Sequence, residues 1–486
     1  MKRQKHSLSY YKLLTCNLGN LVPVGLTEVL PGDTVQHSTS VLLRMSPLVA
    51  PVMHPVQVRI HHFFVPHRLN YTGWQDFITG GQTGTGSAVP FPTNAAAVTP
   101  AVGSLYDHLG IPTGNLLPIG AFSLLPIRAY NMIYNEFYRD EDMLSVVSPD
   151  ATVLQRCAWE KDYFTTCRPF TQRGSAVTLP LGTVAPVTST GVSPTFRRTG
   201  TADASKTLQG TNIGVGASFS AASGSAGDMQ FLNPTGLQTD LSAATAATVN
   251  QLRLALALQR YQEARTQYGA RYTEYLRYLG VQSSDQRLDR PEYLGGGRQT
   301  VSFSEVLRTG SDTASSPVGD LKGHGIAALR SNRYRYFCEE HGYIMTLMSL
   351  RPKSMYIQGI PRTYLRRTKE DFWQQELEQI GQQTVTNAEV FMNGTATDAQ
   401  VFGYQDRYAE YRHSESQVSG DFRSTLNFWH MARSFASLPT LNGNFTDCDP
   451  GKRSFAVQTN DVCWVMVNHD MKARRLVGKK TIGRIK

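Results

Sequence analysis

The amino-acid sequence predicts an all-β fold with long connections between the strands and some helices. Charged residues make up only 18% of the 486 residues, while Gly (41 residues) and Pro (24 residues) are frequent. This balance is more typical of an all-β protein than of a helical enzyme. Residues 34–45 and 56–65 have the length and composition of strands. In the second segment Val58, Ile60 and His62 alternate onto one face, as expected for a half-buried strand.

Local patterns predict the other elements. Thr368 and Asp371 form a capping box that begins a helix ending near residue 380. Helical apolar spacing predicts a second helix over residues 124–137. The remaining predicted segments are an extended basic arm over 1–20, a long structured connection over 79–115, strands over 301–306 and 343–350, and the last strands within 454–467.

A long amphipathic helix is predicted over residues 243–280, with Ser242 as its N-cap. Its Leu and Tyr residues recur at spacings of three, four and seven, which places them on one stripe. This stripe either faces the core or packs against a symmetry-related copy. Gly269 weakens the helix locally, and Gly280 ends it.

Residues 183–229 form the segment of lowest complexity. Residues 183–229 are built from Gly, Ser, Thr and Ala, with few large apolar side chains, among them Phe196, Ile213 and Phe219. Such a segment cannot bury much surface by itself. It leaves and returns to the rest of the chain at two turn-rich sites, so we expect an insertion between strands.

Catalytic and metal-binding chemistry are disfavoured by the residue patterns. Glu339, Glu340 and His341 lack an accompanying nucleophile or oxyanion loop, so no catalytic residue is assigned. Among the histidines at positions 54, 61, 62 and 67, two are consecutive on a strand and point to opposite faces, so no metal site is assigned. No cofactor is expected, because the Gly-rich loops do not continue into a phosphate-binding motif.

The six cysteines are far apart in the chain and include no C-x-x-C pair. Reduced thiols are therefore expected, in place of a disulfide framework or a zinc site. No run of residues approaches the length of about 20 apolar residues that a membrane span requires, and no targeting segment is recognised.

Aromatic and charged residues alternate in two stretches, residues 126–174 and 403–412. One interpretation is a set of buried ion pairs inside a large domain, with Trp159 in the core. The other is a surface that meets further copies of the chain, where aromatic residues and Arg are enriched. We follow the second in predicting subunit-interface positions, which are Arg139, Trp159, Tyr163, Arg168, Tyr408 and Arg412.

Positive charge is concentrated at the two chain ends. The formal net charge is +10, and clustered cations indicate a polyanionic partner, although a solvated tail is the alternative. The predicted phosphate-contacting residues lie in a basic tail, 471–486, and in the N-terminal arm as a second candidate. They are Lys472, Arg474, Arg475, Lys479, Lys480, Arg484 and Lys486 in the tail, and Lys2, Arg3 and Lys5 in the arm.

Several motifs in consistent order resemble the major capsid proteins of gokushoviruses, small icosahedral single-stranded DNA bacteriophages of the microvirus group. These motifs are Pro-Gly-Asp-Thr at 31–34, Ala-Pro-Val-Met-His-Pro at 50–55, Val-Arg-Ile-His-His-Phe at 58–63, Glu-His-Gly-Tyr at 340–343, and the segments 290–297, 402–412 and 438–442. The resemblance covers nearly the whole chain. The resemblance departs or cannot be judged over residues 183–229 and over the basic tail.

The resemblance implies one capsid domain over residues 1–486, an eight-stranded antiparallel jelly roll with long loop insertions and some helices. It implies self-assembly into a virion capsid around a circular single-stranded DNA genome, with assembly in the cytoplasm of a host bacterium. Implied partners are a pilot protein, an internal scaffolding protein, a small DNA-binding protein and a host-cell receptor.

For the insertion, the resemblance implies an outward-projecting loop over 183–240 that serves in host attachment, with its copies meeting around a symmetry axis. A surface loop without a partner is the alternative. The alternative for the whole chain is an all-β sugar-binding or hydrolytic protein. Such a hydrolase needs paired carboxylates, and the consecutive acids Asp140, Glu141 and Asp142 diverge in direction.

Overall fold

The structure, a computed structural model, describes residues 3–81, 86–175, 177, 248–269, 271–310 and 317–478, together with the backbone of five short strands between residues 187 and 239. The strands in these residues are β1 (Gln4–Ser7), β2 (Tyr10–Cys16), β3 (Leu21–Val29), β4 (Thr34–Met45), β5 (Val56–Pro66), β6 (Val187–Ser189), β7 (Thr195–Arg198), β8 (Lys206–Thr207), β9 (Met229–Phe231), β10 (Leu237–Thr239), β11 (Glu292–Thr300), β12 (Ser302–Leu307), β13 (Leu321–Arg330), β14 (Tyr334–Phe337), β15 (Gly342–Pro352), β16 (Gln382–Thr386), β17 (Val401–Asp406) and β18 (Cys463–Arg475).

The helices are short apart from one. The α-helices are α1 (His67–Asn70), α2 (Trp74–Thr79), α3 (Leu105–His108), α4 (Leu125–Ile133), α5 (Val249–Tyr268), α6 (Tyr272–Tyr278), α7 (Asn387–Val390) and α8 (Gly443–Thr446). A π-helical turn, Tyr134–Tyr138, follows α4, and the 3-10 turns are Gln286–Leu288, Arg362–Tyr364, Lys369–Asp371, Gln375–Ile380, Ala396–Ala399, Ala409–Tyr411, Gly420–Arg423 and Asn427–Trp429.

Two antiparallel sheets face each other across the main core. The larger sheet has the order β1-β18-β4-β13-β12, with β2 also paired to β18 and β14 to β4, and the smaller has the order β11-β5-β15-β3. Both sheets contribute inward side chains to one cluster, including Val24, Leu43, Ile60, Leu350 and Val467. The strands β4, β13 and β18 of the larger sheet largely alternate buried and more exposed residues, so the smaller sheet covers one face of the larger sheet, whereas β5 and β15 of the smaller sheet are buried along much of both faces. The mostly β architecture with some helices confirms the predicted class, while the eight-stranded jelly roll stays a prediction.

The chain divides into two compact units. One unit consists of residues 1–171 and 265–486, and the other of residues 172–264. In the second unit β6 pairs with β10, and β7 pairs with both β8 and β9. The β6–β10 pairing brings residues 187–189 and 237–239 together, and the insertion stays a prediction.

Segments near both chain ends are incorporated into the larger sheet, which corrects two predictions. The arm over residues 1–20 contains β1 and β2, and both strands pair with β18. The basic tail is in part the end of that strand, because β18 continues to Arg475. The arm showed no apolar periodicity because its inward positions include His6, Tyr10 and Lys12 beside Leu14. Strand pairing, which the local sequence does not report, orders this segment.

The predicted continuous helix over residues 243–280 is interrupted. Within the described residues α5 ends at Tyr268 and α6 begins at Tyr272. Gly269 between them has a φ of 100°, a left-handed conformation that an α-helix cannot contain. The Leu and Tyr stripe stays largely exposed, so it is not a core-facing surface of this chain. The predicted N-cap, Ser242, lies outside the described residues.

Three histidines form a polar network between the two large sheets. His37 Nε2 and His469 Nδ1 share a hydrogen bond of 3.0 Å, and His62 lies between the hydroxyls of Thr346 and Ser331, each at 3.0 Å. Burial, reinforced by neighbouring imidazoles, lowers the pKa of His37 to about 2 and that of His62 to about 3. Burial likewise lowers the pKa of His469 to about 4. The network therefore requires neutral rings.

We expect the free energy of unfolding of the unassembled chain to fall as the pH drops from about 7 to about 5. Unfolded histidines take up protons below their ordinary pKa of about 6.5. The buried rings stay neutral until the pH approaches their lowered pKa values, so the unfolded state binds more protons. His469 alone should account for a loss of about 2 kcal/mol at pH 5. Urea unfolding at both pH values measures the effect.

The matched variants are His469→Gln and His324→Gln. The first removes a buried titrating ring and should flatten the pH dependence by about the amount given above. The second replaces an exposed histidine of β13 and should leave the dependence unchanged. An unaltered pH dependence in a folded His469→Gln chain would contradict this account.

Candidate nucleic-acid interface

The larger sheet leaves one face open to solvent in the described chain, and β18 runs through its middle. Along β18 the inward positions are buried, whereas Trp464, Met466, Lys472 and Arg474 are exposed. Directly paired residues of antiparallel strands point to the same face. The register therefore determines which side chains of β1, β2, β4, β13 and β14 share this open face.

One end of the open face is basic. Lys5 pairs with Arg474, and Arg335 and Lys472 both pair with Gln36, so these cations lie on neighbouring rows. Two rows further along the same face Arg330 pairs with Ser40. The exposed cations of this basic end are Arg3, Lys5, Arg330, Arg333, Arg335, Lys472 and Arg474.

A single acid of the described residues, Asp470, shares these rows of β18, and its carboxylate pairs with the guanidinium of Arg333. The basic end therefore carries a large excess of positive charge on a few neighbouring strands. The guanidinium of Arg3 lies 5.1 Å from the centroid of the exposed Phe337 ring, which places an aromatic face among the cations. This arrangement attracts phosphates without selecting a base sequence.

Arg475 differs from its neighbour Arg474. Its guanidinium Nη2 lies 2.7 Å from Oδ2 of Asp33, a carboxylate with no solvent exposure. The same nitrogen also donates to the backbone carbonyl of Glu28. Because this cation neutralises a buried acid, its charge is already engaged within the subunit, unlike that of Arg474.

The structure brings four of the predicted phosphate contacts together on one face: Arg3, Lys5, Lys472 and Arg474. The others, Lys2, Lys479, Lys480, Arg484 and Lys486, lie outside the described residues. Sequence reasoning missed Arg330, Arg333 and Arg335, which are far from both chain ends. The alternation of Arg and aromatic residues in 333–337 is a signal that would have placed two of them on one strand face.

Comparison with known proteins identifies the family. A family model described as capsid protein (F protein) matches residues 1–477. The capsid protein VP1 of Bdellovibrio phage phiMH2K is 36% identical, with 94% of this chain and 90% of the relative covered. The corresponding proteins of Chlamydia phage 1 and Spiroplasma virus 4 are 31% and 29% identical, over 96% and 94% of this chain and 94% and 90% of each relative.

This chain belongs to the phage capsid protein (F protein) family. The microvirus-type relatives confirm the resemblance drawn from the sequence motifs, and the protein is a major capsid protein. It is a structural protein, not an enzyme, so the hydrolytic alternative is not favoured.

Three of the six predicted subunit-interface residues are buried inside the capsid protein subunit, which corrects the prediction for those three. Trp159, Tyr163 and Tyr408 are each 3% exposed. The indole of Trp159 is covered by the guanidinium of Arg433, 5.1 Å from its centroid. The aromatic-charge alternation that suggested an interface instead forms a buried network within the subunit.

The two arginines of the first stretch are engaged within the capsid protein subunit. Arg168 lies 3.0 Å from both Asp140 and Asp142 and pairs its backbone with Tyr404. Arg139 donates to the backbone carbonyl of Leu144 at 2.6 Å. Asp140 and Asp142 therefore form ion pairs within the subunit, which is the alternative to an interface that the sequence analysis gave for this stretch. Arg412 is exposed, and its interface role stays a prediction.

Further predictions for the capsid protein concern the insertion residues, the cysteines, metal binding and membrane spans. Phe196 lies on β7, and Ile213 and Phe219 lie outside the described residues. All six cysteines are free and buried. The described part of the chain has no group of three or more His, Cys, Asp or Glu side chains placed to hold a metal ion. Every helix in that part is too short or too polar to cross a membrane.

Proposed function

We propose that this capsid protein assembles into a small icosahedral shell around a circular single-stranded DNA genome, with the open face of its larger sheet toward the nucleic acid. The basic end of that face supports the proposal most directly, because it concentrates seven exposed cations from three segments of the chain. In this proposal the two facing sheets form the jelly roll of the shell wall. Assembly takes place in the host bacterial cytoplasm, with the pilot, internal scaffolding and small DNA-binding proteins as further partners.

For contacts between copies, we propose an exposed aromatic patch in place of the buried residues. The patch consists of Phe372, Trp373 and Tyr411. The Trp373 backbone N–H donates to the Tyr411 hydroxyl, and the guanidinium of Arg366 lies 4.3 Å from the Tyr411 ring centroid and 5.7 Å from that of Phe372.

The charges around the patch suit contact with a second copy. Exposed ion pairs, Arg412 with Glu378 and Lys369 with Glu370, place both signs of charge beside the aromatic rings. A surface carrying both signs can be complementary to another copy of the same chain. Exposed aromatic side chains with neighbouring Arg residues are also the usual anchors of protein interfaces.

Trp373→Ala should lower the yield of assembled particles while leaving the subunit folded, because this side chain is 50% exposed. Trp159→Ala is the matched comparison. It removes a buried indole and should destabilise the subunit by about 3–5 kcal/mol. Sedimentation measures particle yield, and urea unfolding measures subunit stability. A Trp373→Ala chain that assembles as well as the wild type would contradict the patch assignment.

The neighbouring residues Arg474 and Arg475 test the DNA contact. Arg474→Gln removes an exposed cation and should reduce the slope of log affinity for oligo-dT against log salt by about 0.7. Arg475→Gln should leave that slope unchanged but destabilise the subunit by about 3 kcal/mol, because it strands the buried Asp33 carboxylate. Binding titrations between about 50 and 200 mM salt measure the slope. A wild-type slope in Arg474→Gln would argue against the basic end as a phosphate-binding surface.

We also propose that residues 183–240 form the outward-projecting insertion and serve in host attachment. Support comes from the β6–β10 pairing, which closes the segment at its base, and from its location in a compact unit of its own. Replacement of residues 183–229 by a short Gly-Ser linker should leave particle formation intact and abolish adsorption to host cells. Adsorption at the wild-type level by linker particles would exclude the role, and a failure to form particles would assign the segment to assembly.

A further inference from the structure

The end of the open face opposite its basic end is apolar. Met466 pairs with Leu13 on one side and Leu42 on the other, and on the next row Trp464 pairs with Thr15 and Arg44. Leu13 is 77% exposed and Trp464 48% exposed. A groove of about 430 Å³ is lined by Leu13, Leu42, Arg44, Trp464 and Met466, together with their strand neighbours.

These side chains contribute little to the core of the subunit. The residues of β18 that alternate with Trp464 and Met466 are Val465 and Val467, which point inward and belong to the main core cluster. Strand alternation forces the neighbouring positions onto the opposite face. A row of Leu, Met and Trp on that face exposes a contiguous apolar surface, which usually indicates a binding partner.

The strand geometry joins this apolar end to the basic end. Trp464 and Lys472 lie on β18, eight residues apart, which corresponds to about 27 Å along an extended strand. A ligand lying along β18 meets the indole first, then Asn468, and finally the cations of the basic end. Tyr11, which pairs with Asn468 and is also exposed, adds a second aromatic ring between the two ends.

Single-stranded nucleic acid has the chemistry that matches this sequence of groups. Its phosphates complement the cations, and its unpaired bases provide flat apolar faces that stack on aromatic side chains. A duplex offers the same phosphates but keeps its bases stacked on each other. Arg44 beside Trp464 strengthens the match, because a guanidinium can also stack on a base and carries charge for the adjacent phosphate.

We propose that the apolar end of the open face binds unpaired nucleobases, with Trp464 as the principal stacking residue and Tyr11 and Arg44 beside it. This inference rests on the proposed function and deepens it, because it assigns to the capsid protein a preference for single strands over duplexes. Stacking on a side-chain ring tolerates every base, so the site does not read sequence. Phosphate attraction by the basic end and base stacking by the apolar end are then separable contributions to one binding event.

The test compares Trp464→Ala with Trp464→Tyr and with Tyr364→Ala, which removes an exposed aromatic ring from a 3-10 turn outside the larger sheet. Purified, unassembled full-length chains are titrated with labelled oligo-dT, with an abasic oligonucleotide of the same length, and with a duplex, over a range of salt concentrations. Trp464→Ala should weaken oligo-dT binding about tenfold at every salt concentration. It should leave the salt slope and the affinities for the abasic strand and the duplex unchanged. Trp464→Tyr should restore most of the loss, and Tyr364→Ala should bind like the wild type.

Other outcomes overturn the inference. Wild-type oligo-dT binding by Trp464→Ala, or an equal loss for oligo-dT and the abasic strand, would mean that no base stacks there. If Trp464→Ala changed particle yield and left oligo-dT binding intact, the apolar end would be a contact between copies. A different result would contradict the proposed function itself. In that case neither Arg474→Gln nor Trp464→Ala would alter the binding of oligo-dT. If Arg474→Gln reduced the salt slope while Trp464→Ala bound oligo-dT like the wild type, the proposal that the sheet faces the DNA would stand. Only the stacking site would then be rejected.

Discussion

The antiparallel pairing of β18 with β4 on one side and with β1 and β2 on the other is the constraint on which the open face depends. It places the last described strand of the chain between the first two strands and β4. Because opposite residues share a face, the register of this one strand decides which side chains are buried and which are open. A shift by a single residue would exchange Val465 and Val467 with Trp464 and Met466. The core packing and the open face are therefore specified by the same register.

The polar network within the sandwich helps to specify that register. His469 on β18 contacts His37 on β4 through a hydrogen bond and stacks on Tyr10 of β2 with ring centroids 4.6 Å apart. Its second nitrogen hydrogen-bonds the carbonyl of Val24, which belongs to the opposite sheet. In a slipped register these buried polar atoms would lose their partners, at a cost of about 1–3 kcal/mol for each group. Apolar residues alone would tolerate slippage more readily.

Sequence reasoning predicted the elements that carry a local signal. The bounds of β4 and the capping box of Thr368 and Asp371 were predictable because alternation and capping are properties of neighbouring residues. The strand character of β1 was not, because its pairing with β18 joins residues more than 460 positions apart. Trp159 and Arg168 were assigned to an interface because composition cannot distinguish an exposed aromatic-charge cluster from a buried one. Arg474 and Arg475 are adjacent and chemically identical, and only the location of Asp33 separates their roles.

The same limit explains how a modest overall charge becomes a concentrated surface. The net charge of +10 over 486 residues is small for its length. The fold brings cations from residues 3–5, 330–335 and 472–474 onto neighbouring strands of one sheet face, where one facing acid is already paired. Acidic residues elsewhere, such as Asp140 and Glu389, are engaged with arginines inside the subunit and do not offset that face. The concentrated positive charge of this face thus depends on strand register more than on composition. The linear sequence reveals only the cations that are clustered near the chain ends.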